Sequence, residues 1–232
     1  MSRQIPLPLG FDPQQGFDEY HAGRNAEAVA HLQTFAGEGQ ESFIYLWSER
    51  GLGKTHLINA CCRSAHIAGR QSAYVPLAGL SHVGSELLSG LEHLDLVGID
   101  DIDRVAGDPA WEEAVFALYN ALRDSGHQLI VSGNQAPAQL PMALPDLKTR
   151  LGWGITLRLL PMDDNDKLQA LSLQARARGL ELPDPVGRFL LSHHQRDFAK
   201  LCQLLEQLDH ATLAAQRKLT IPFLKAYLEQ IP

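Results

Sequence analysis

Residues 50–57 read RGLGKTHL and follow the apolar, β-rich run Phe43–Trp47. A strand of that kind, a glycine-bearing loop and then a leucine-containing helical pattern predict the strand–loop–helix turn that cradles phosphate. Gly51 and Gly53 let backbone N–H groups fold around anionic oxygens, and the next helix aims the positive end of its dipole at them. Lys54 at this spacing reaches the β- and γ-phosphates, and the Thr55 hydroxyl ligates Mg²⁺. Ser48 stands where G-x-x-x-x-G-K-[ST] begins with glycine. The expected nucleotide-binding set is Ser48, Gly51, Leu52, Gly53, Lys54, Thr55 and His56.

Four further β-rich runs follow, at 72–77, 94–100, 128–132 and 155–160, with helical patterns between them at 55–68 and 111–125. Strands that are apolar nearly throughout and alternate with helices predict an α/β fold with a five-stranded parallel sheet covered on both faces. Past Pro161 only helical patterns remain, at 163–178, 184–193, 196–216 and 220–230, which predicts a small all-helical domain. The expected organisation is an extended, poorly packed tail over 1–15, an α/β nucleotide-binding domain over 16–161 and a helical domain over 162–232. Prolines and glycines crowd the first 17 residues, hence the tail.

The run at 94–100 ends in Asp100 and Asp101. Paired carboxylates at a strand end suit a phosphate site, the first holding Mg²⁺ and the second orienting or deprotonating the attacking water. Asp100 is therefore assigned to magnesium and Asp101 to water, although Asp is also a favoured helix cap. Asp103 reads as a solvated turn residue. Asn134 follows the run at 128–132, where it either contacts the γ-phosphate or serves as an ordinary turn residue. Trp153, between two glycines, reads as a packing anchor that fixes Arg150.

Charge and cysteine usage narrow the class. The net charge of −7 gives no general attraction to nucleic acid or membrane. No apolar run approaches the ~20 residues of a membrane span. Cys61, Cys62 and Cys202 lack metal-ligand spacing and read as buried thiols of a reduced, cytoplasmic protein.

Taken in order, these segments resemble AAA+ ATPases of the DnaA/Hda family of replication initiator-like proteins. The resemblance rests on GLGKTHL, on IDDI with AG close behind, on LKTRLGWGI at 147–155 and on FDEYHAGRN at 17–25. It implies a P-loop AAA+ domain followed by a helical lid. It also implies that Arg150 is an arginine finger acting in trans, Asn134 a sensor of the γ-phosphate and Arg196 a second sensor on the lid. ADP or ATP with Mg²⁺ is the implied cofactor.

Two departures from the initiator shape the functional expectation. Residues 75–99, where the initiator carries a basic, aromatic DNA-contacting helix, contain no Lys or Arg and no aromatic ring beyond two histidines. The last helical pattern runs to the end of the sequence at Pro232, with no DNA-binding domain after it. No direct DNA binding is therefore expected. Residues 4–9 (QIPLPL) resemble the short peptide by which replication proteins dock on the β sliding clamp. Pro6 and Pro8 favour an extended chain, so Leu7 and Leu9 share one side and Gln4 hydrogen-bonds beside them. Tail, AAA+ domain and lid together resemble the regulatory branch of the family. The implied role is to dock on the clamp, meet ATP-bound DnaA and stimulate its hydrolysis. The alternative is a helicase loader or a self-hydrolysing ATPase. A finger acting in trans could equally serve a second copy in a homo-oligomer.

Overall fold

The computed structural model describes residues 11–12, 15–37, 39–80, 83–193 and 198–229. It divides into two compact units, one of residues 1–17 and 25–160 and the other of 18–24 and 161–232. The sequence expectation for residues 18–24 placed them with the sheet; the contacts place them with the helical unit.

In the first unit, α1 (Ala26–Ala36) leads to β1 (Phe43–Trp47), and α2 (Lys54–Ile67) follows the glycine-bearing loop. Then come β2 (Ser72–Pro76), a short α3 (Leu77–Leu80), β3 (Leu96–Asp100), α4 (Pro109–Asp124), β4 (Gln128–Gly133), α5 (Pro145–Leu151) and β5 (Ile155–Arg158). The strands form one parallel sheet in the order β2-β3-β4-β1-β5. The first four are buried along most or all of their length, which is why they read as continuous apolar runs. The outer strand β5 alternates half-buried Ile155 and Leu157 with exposed Thr156 and Arg158.

Register then places the chemistry. Leu46 pairs with Ser132, Trp47 with Gly133, Ile99 with Val131 and Pro76 with Asp100. The carboxyl ends of β1, β3 and β4 therefore share one edge of the sheet, where parallel α/β folds bind ligands.

Helix α1 has no counterpart in the sequence reading; it buries Leu32 and Phe35 completely. Its carboxyl end is held by polar groups. Arg70 Nη1 donates to the carbonyls of Ala36 and Gly37 at 3.2 and 3.1 Å, and Nη2 donates to Gln128 Oε1 at 2.6 Å. The Gln128 amide donates to the carbonyls of Phe35 and Glu41 at 2.9 and 3.1 Å, so a buried polar residue of β4 is satisfied by the end of α1 and the approach to β1.

Residues 11 and 12, expected in a poorly packed tail, also depart from expectation. Phe11 packs against the His66 ring at 5.2 Å, Asp12 N donates to Asn59 Oδ1 at 3.0 Å, and the His56 ring meets the Gly16 carbonyl at 2.7 Å. Phe11, Asp12 and Gly16 therefore lie on α2; residues 1–10 of the expected tail lie outside the described residues. Of the cysteines, Cys61 and Cys62 are buried in α2, but Cys202 is only half-buried.

In the second unit, α6 (Asp164–Ala177), α7 (Asp184–His193), α8 (Phe198–Ala215) and α9 (Ile221–Leu228) enclose Leu171, Leu190, Leu205, Leu208 and Leu224. Asp163 caps α6 by accepting from Asp166 N at 2.8 Å, and Thr220 caps α9 by accepting from Phe223 N at 3.4 Å. Residues 18–24 join this unit through Gln174, whose amide donates to the Glu19 carbonyl, and through a His21–Asp166 contact at 3.1 Å. Among the described residues, no helix is long and apolar enough to cross a membrane.

Glu112 on α4 is fully buried and accepts three backbone N–H groups, from Gly107 at 2.6 Å, Ala143 at 3.0 Å and Leu144 at 2.6 Å. It fixes the approach to α5. Glu112→Ala removes the acceptor of all three N–H groups at once and should cost about 2 kcal/mol of unfolding free energy in urea. A loss below about 1 kcal/mol, the level of an ordinary surface substitution, would show that these loops hold themselves.

Candidate functional site

The loop after β1 folds as its glycines require. Gly51 and Gly53 have φ of 80° and 89°, left-handed values that a side chain would oppose, and Gly53 directly precedes α2. Lys54 is the first residue of that helix and only 6% exposed. Its ammonium donates to the carbonyls of Ser48 at 3.0 Å and Glu49 at 3.2 Å, and to Asn134 Oδ1 at 3.0 Å. Burial pushes this ammonium down from its ordinary pKa, while Asp101, Asp100 and Asp103 hold it up. Ser48, at the motif's first position, is buried and donates its hydroxyl to the Glu49 carbonyl at 2.8 Å. Leu52 lies half-buried in the loop, and the His56 ring is turned onto the Gly16 carbonyl.

Asp100 ends β3 and gathers three hydroxyls. Thr55 Oγ1 donates to its Oδ2 at 2.6 Å, Tyr74 from β2 donates to the same oxygen at 3.0 Å, and Ser132 from β4 donates to Oδ1. Ser132 Oγ in turn accepts from Asp101 N at 3.0 Å, holding Asp101 in a left-handed conformation with φ of 60°. Thr55 and Asp100 thus place two hard oxygen donors side by side, a set that suits Mg²⁺ completed by phosphate oxygens and water. Among the described residues, no group of three or more His, Cys, Asp or Glu side chains could hold a metal ion by itself. The carboxylate–hydroxyl pair therefore fits a metal brought in with a phosphate.

Asp103 corrects the sequence reading. It is half-buried rather than solvated, and both its oxygens are engaged by Asn134. The backbone N–H donates at 2.9 Å and the side-chain Nδ2 at 2.6 Å. Tyr74, Ser132 and Asp103 are the functional neighbours that sequence reasoning missed. The one signal for the first two was a polar residue inside an apolar strand, which in a buried sheet requires a partner.

Arg150 stands elsewhere. It lies on α5 with its guanidinium 4.1 Å from the Trp153 ring centroid and 5.9 Å from that of Tyr119. Tyr119 packs edge-on against Phe43 at 5.0 Å, and a side chain at Gly154 would strike the Phe43 carbonyl and ring. Phe43 begins β1 while the phosphate loop follows its last residue, Trp47, so the Tyr119 ring that Arg150 faces packs at the end of the strand opposite that loop. Trp153 lies against Arg150, as expected of a residue that fixes it, and does so from outside, with 63% of its surface exposed. The Arg150 Nη1 is buried without a hydrogen-bond partner. Arg196 and the tail residues Gln4, Leu7 and Leu9 lie outside the described residues.

The structure therefore brings together Ser48, the loop glycines, Lys54, Thr55, Asp100, Asp101 and Asn134, and sets Arg150 apart. Comparison with known proteins gives matching likenesses. The sequence model described as the bacterial DnaA ATPase domain matches residues 81–158, and that described as Hda, lid domain, matches residues 164–228. Domain III of the Thermotoga maritima replication initiation protein DnaA superposes with a TM-score of 0.79 at 20% identity, covering 92% of this chain and 95% of that one. AMPPCP-bound DnaA from Aquifex aeolicus superposes at 0.67 and 20% identity, over 84% of this chain and 66% of the other. The Thermotoga maritima RuvB Holliday junction branch migration motor gives 0.63 at 17% identity, over 92% and 72%. At these identities the superpositions establish the fold.

Burial, with Asp100 and Asp103 adding, holds the Asp101 carboxyl above the usual carboxylate range, against the pull of Lys54 and Arg104. A carboxyl raised by folding destabilises the native state once it ionises. Stability therefore falls as pH climbs from the unfolded to the native pKa, and the whole penalty remains above it. Asp101→Asn removes the penalty and keeps a residue that tolerates left-handed backbone. At about pH 8 the variant should unfold at higher urea than the parent, with the gap closing towards about pH 3.5, below the unfolded carboxylate value. A gap independent of pH would contradict the assignment.

Proposed function

This chain is a DnaA/Hda-like AAA+ protein, and from that premise we propose that it is a negative regulator of replication initiation. It binds adenine nucleotide, ADP or ATP with Mg²⁺, in the loop of Ser48–Thr55. Lys54 neutralises phosphate charge, Thr55 and Asp100 supply oxygen to the metal, and Asn134 lies beside Lys54 to sense the terminal phosphate. Asp101 would orient water if hydrolysis occurred in this loop. Gln4, Leu7 and Leu9 dock the tail on the β sliding clamp, and Arg150 enters the nucleotide site of ATP-bound DnaA. There its guanidinium meets the charge that develops as water displaces ADP from the γ-phosphorus, leaving the initiator in its inactive ADP form. Fingers supplied in trans accelerate such steps by about 10³–10⁵.

The observation that carries this reading is the position of Arg150, at the edge of the sheet opposite its own phosphate loop and beside an exposed tryptophan. A cation so placed is of no use to the nucleotide of its own chain and is available to a neighbour's. The absence of Lys and Arg from residues 75–99 supports a role without direct DNA contact. A loop with Lys54, Thr55, Asp100 and Asp101 all in place also supports the second reading, an ATPase or helicase loader that hydrolyses its own nucleotide.

The test is initiator ATPase turnover with clamp-loaded DNA and this protein. Turnover should rise with the native protein and fall at least about 10³-fold in stimulation with Arg150→Ala. The Gln4→Ala/Leu7→Ala tail should lose both clamp binding and stimulation. Equal stimulation by the Arg150→Ala protein would remove the finger assignment. Robust turnover by the protein alone would favour the ATPase reading.

A further inference from the structure

Asp100 is only 3% exposed, and three hydroxyls share its two oxygens. Thr55 at 2.6 Å and Tyr74 at 3.0 Å both donate to Oδ2, while Ser132 donates to Oδ1. An ionised carboxylate offers about four acceptor sites, two on each oxygen. Oδ2 is therefore full, and the one site left is on Oδ1.

Tyr74 is the aromatic residue of β2, an outer strand of the sheet, and is itself 8% exposed. A phenyl ring would fill its place equally well, so the hydroxyl serves the polar groups it meets. Besides Asp100, that hydroxyl meets the side chain of Asn59, which is 2% exposed on α2. The Asn59 amide also donates to the Thr55 carbonyl at 2.9 Å, and its Oδ1 accepts from Asp12 N at 3.0 Å. Both ends of the Asn59 amide are thus engaged, and the phenol that reaches Asp100 from β2 is anchored on α2.

We infer that Tyr74 is a positioning residue for Asp100, keeping the carboxylate from turning so that its free site and the Thr55 hydroxyl stay together for an incoming Mg²⁺. The inference rests on the reading that this loop binds adenine nucleotide with Mg²⁺. Thr55 gives its hydrogen to Oδ2 and keeps its lone pairs for the metal. Tyr74 takes the second site of Oδ2, which leaves Oδ1 as the oxygen for the metal or a water it carries. Without the phenol hydroxyl, Oδ2 has a vacant site and the carboxylate can rotate. Hydrogen-bond partners of a ligating carboxylate commonly govern metal affinity by about 10–100-fold.

The experiment is equilibrium binding of ADP, in EDTA and across a Mg²⁺ titration, to the full-length protein and its Tyr74→Phe, Asp100→Asn and Tyr74→Phe/Asp100→Asn variants. Tyr74→Phe keeps the ring and its packing and removes one oxygen. It should raise the Mg²⁺ concentration at half effect about tenfold or more and leave ADP binding in EDTA within about twofold. Asp100→Asn should show at least as large a loss, and the double variant no further loss, because Tyr74 acts through Asp100. Mn²⁺ in place of Mg²⁺, followed by water-proton relaxation in the presence of ADP, should report the same weakening at the metal itself. An unchanged metal requirement in Tyr74→Phe would overturn the inference. So would equal weakening of ADP with and without metal, the mark of a merely structural role, or a further loss in the double variant. A cooperatively folded native protein that binds no ADP under either condition would instead sink the nucleotide reading, and the inference with it.

Discussion

β4 lies between β3 and β1, pairing Val131 with Ile99 on one side and Ser132 with Leu46 on the other. That register brings Ser132 to Asp100 and Asn134 to Lys54, the contacts by which β4 joins the loop. A slip of one residue would turn each side chain of β4 to the other face of the sheet. Ser132 would lose Asp100, and Gln128 would lose the end of α1. The apolar packing of the strands and the hydrogen bonding of the site are therefore one constraint: the residues that bury the sheet also aim its carboxyl edge.

The edge so formed is strongly polar and largely self-satisfied. Lys54 has three donor hydrogens and finds acceptors for them in Ser48, Glu49 and Asn134. Three carboxylates surround it, and their mutual repulsion together with burial holds Asp101 up. A phosphate entering this loop exchanges with chain carbonyls for the same ammonium, so occupancy of the loop and its shape are linked. That linkage suits the proposed regulator, in which Arg150 is the cation offered to the partner.

Much of this was legible in the sequence, for identifiable reasons. The parallel strands are short apolar runs bounded by glycine and polar residues, and the phosphate loop has a fixed spacing of residues whose chemistry admits few substitutes. What escaped was non-local. Asp103 looks like any acidic turn residue until β4 is laid beside β3. Phe11 and Asp12 sit in a proline- and glycine-bearing stretch, and only the folded chain shows Asp12 meeting Asn59, 47 positions away. Helix α1 carries just Val29, Leu32 and Phe35 as large apolar residues, too thin a stripe to stand out among alanines. Trp153 was legible as the residue that fixes Arg150; what the sequence did not show is that it does so with an exposed ring face on which the guanidinium lies.

The central claim is that the cation of this chain acts on a nucleotide held by another protein. Single-turnover hydrolysis with the label on one partner at a time tests it most directly. DnaA is loaded with γ-labelled ATP and this protein with unlabelled nucleotide, and the labelling is then reversed, each on clamp-loaded DNA. The account predicts rapid release of labelled phosphate only when the label starts on DnaA, and loss of that release with Arg150→Ala. Rapid release when the label starts on this chain, with DnaA-held label unaffected by Arg150, would contradict it.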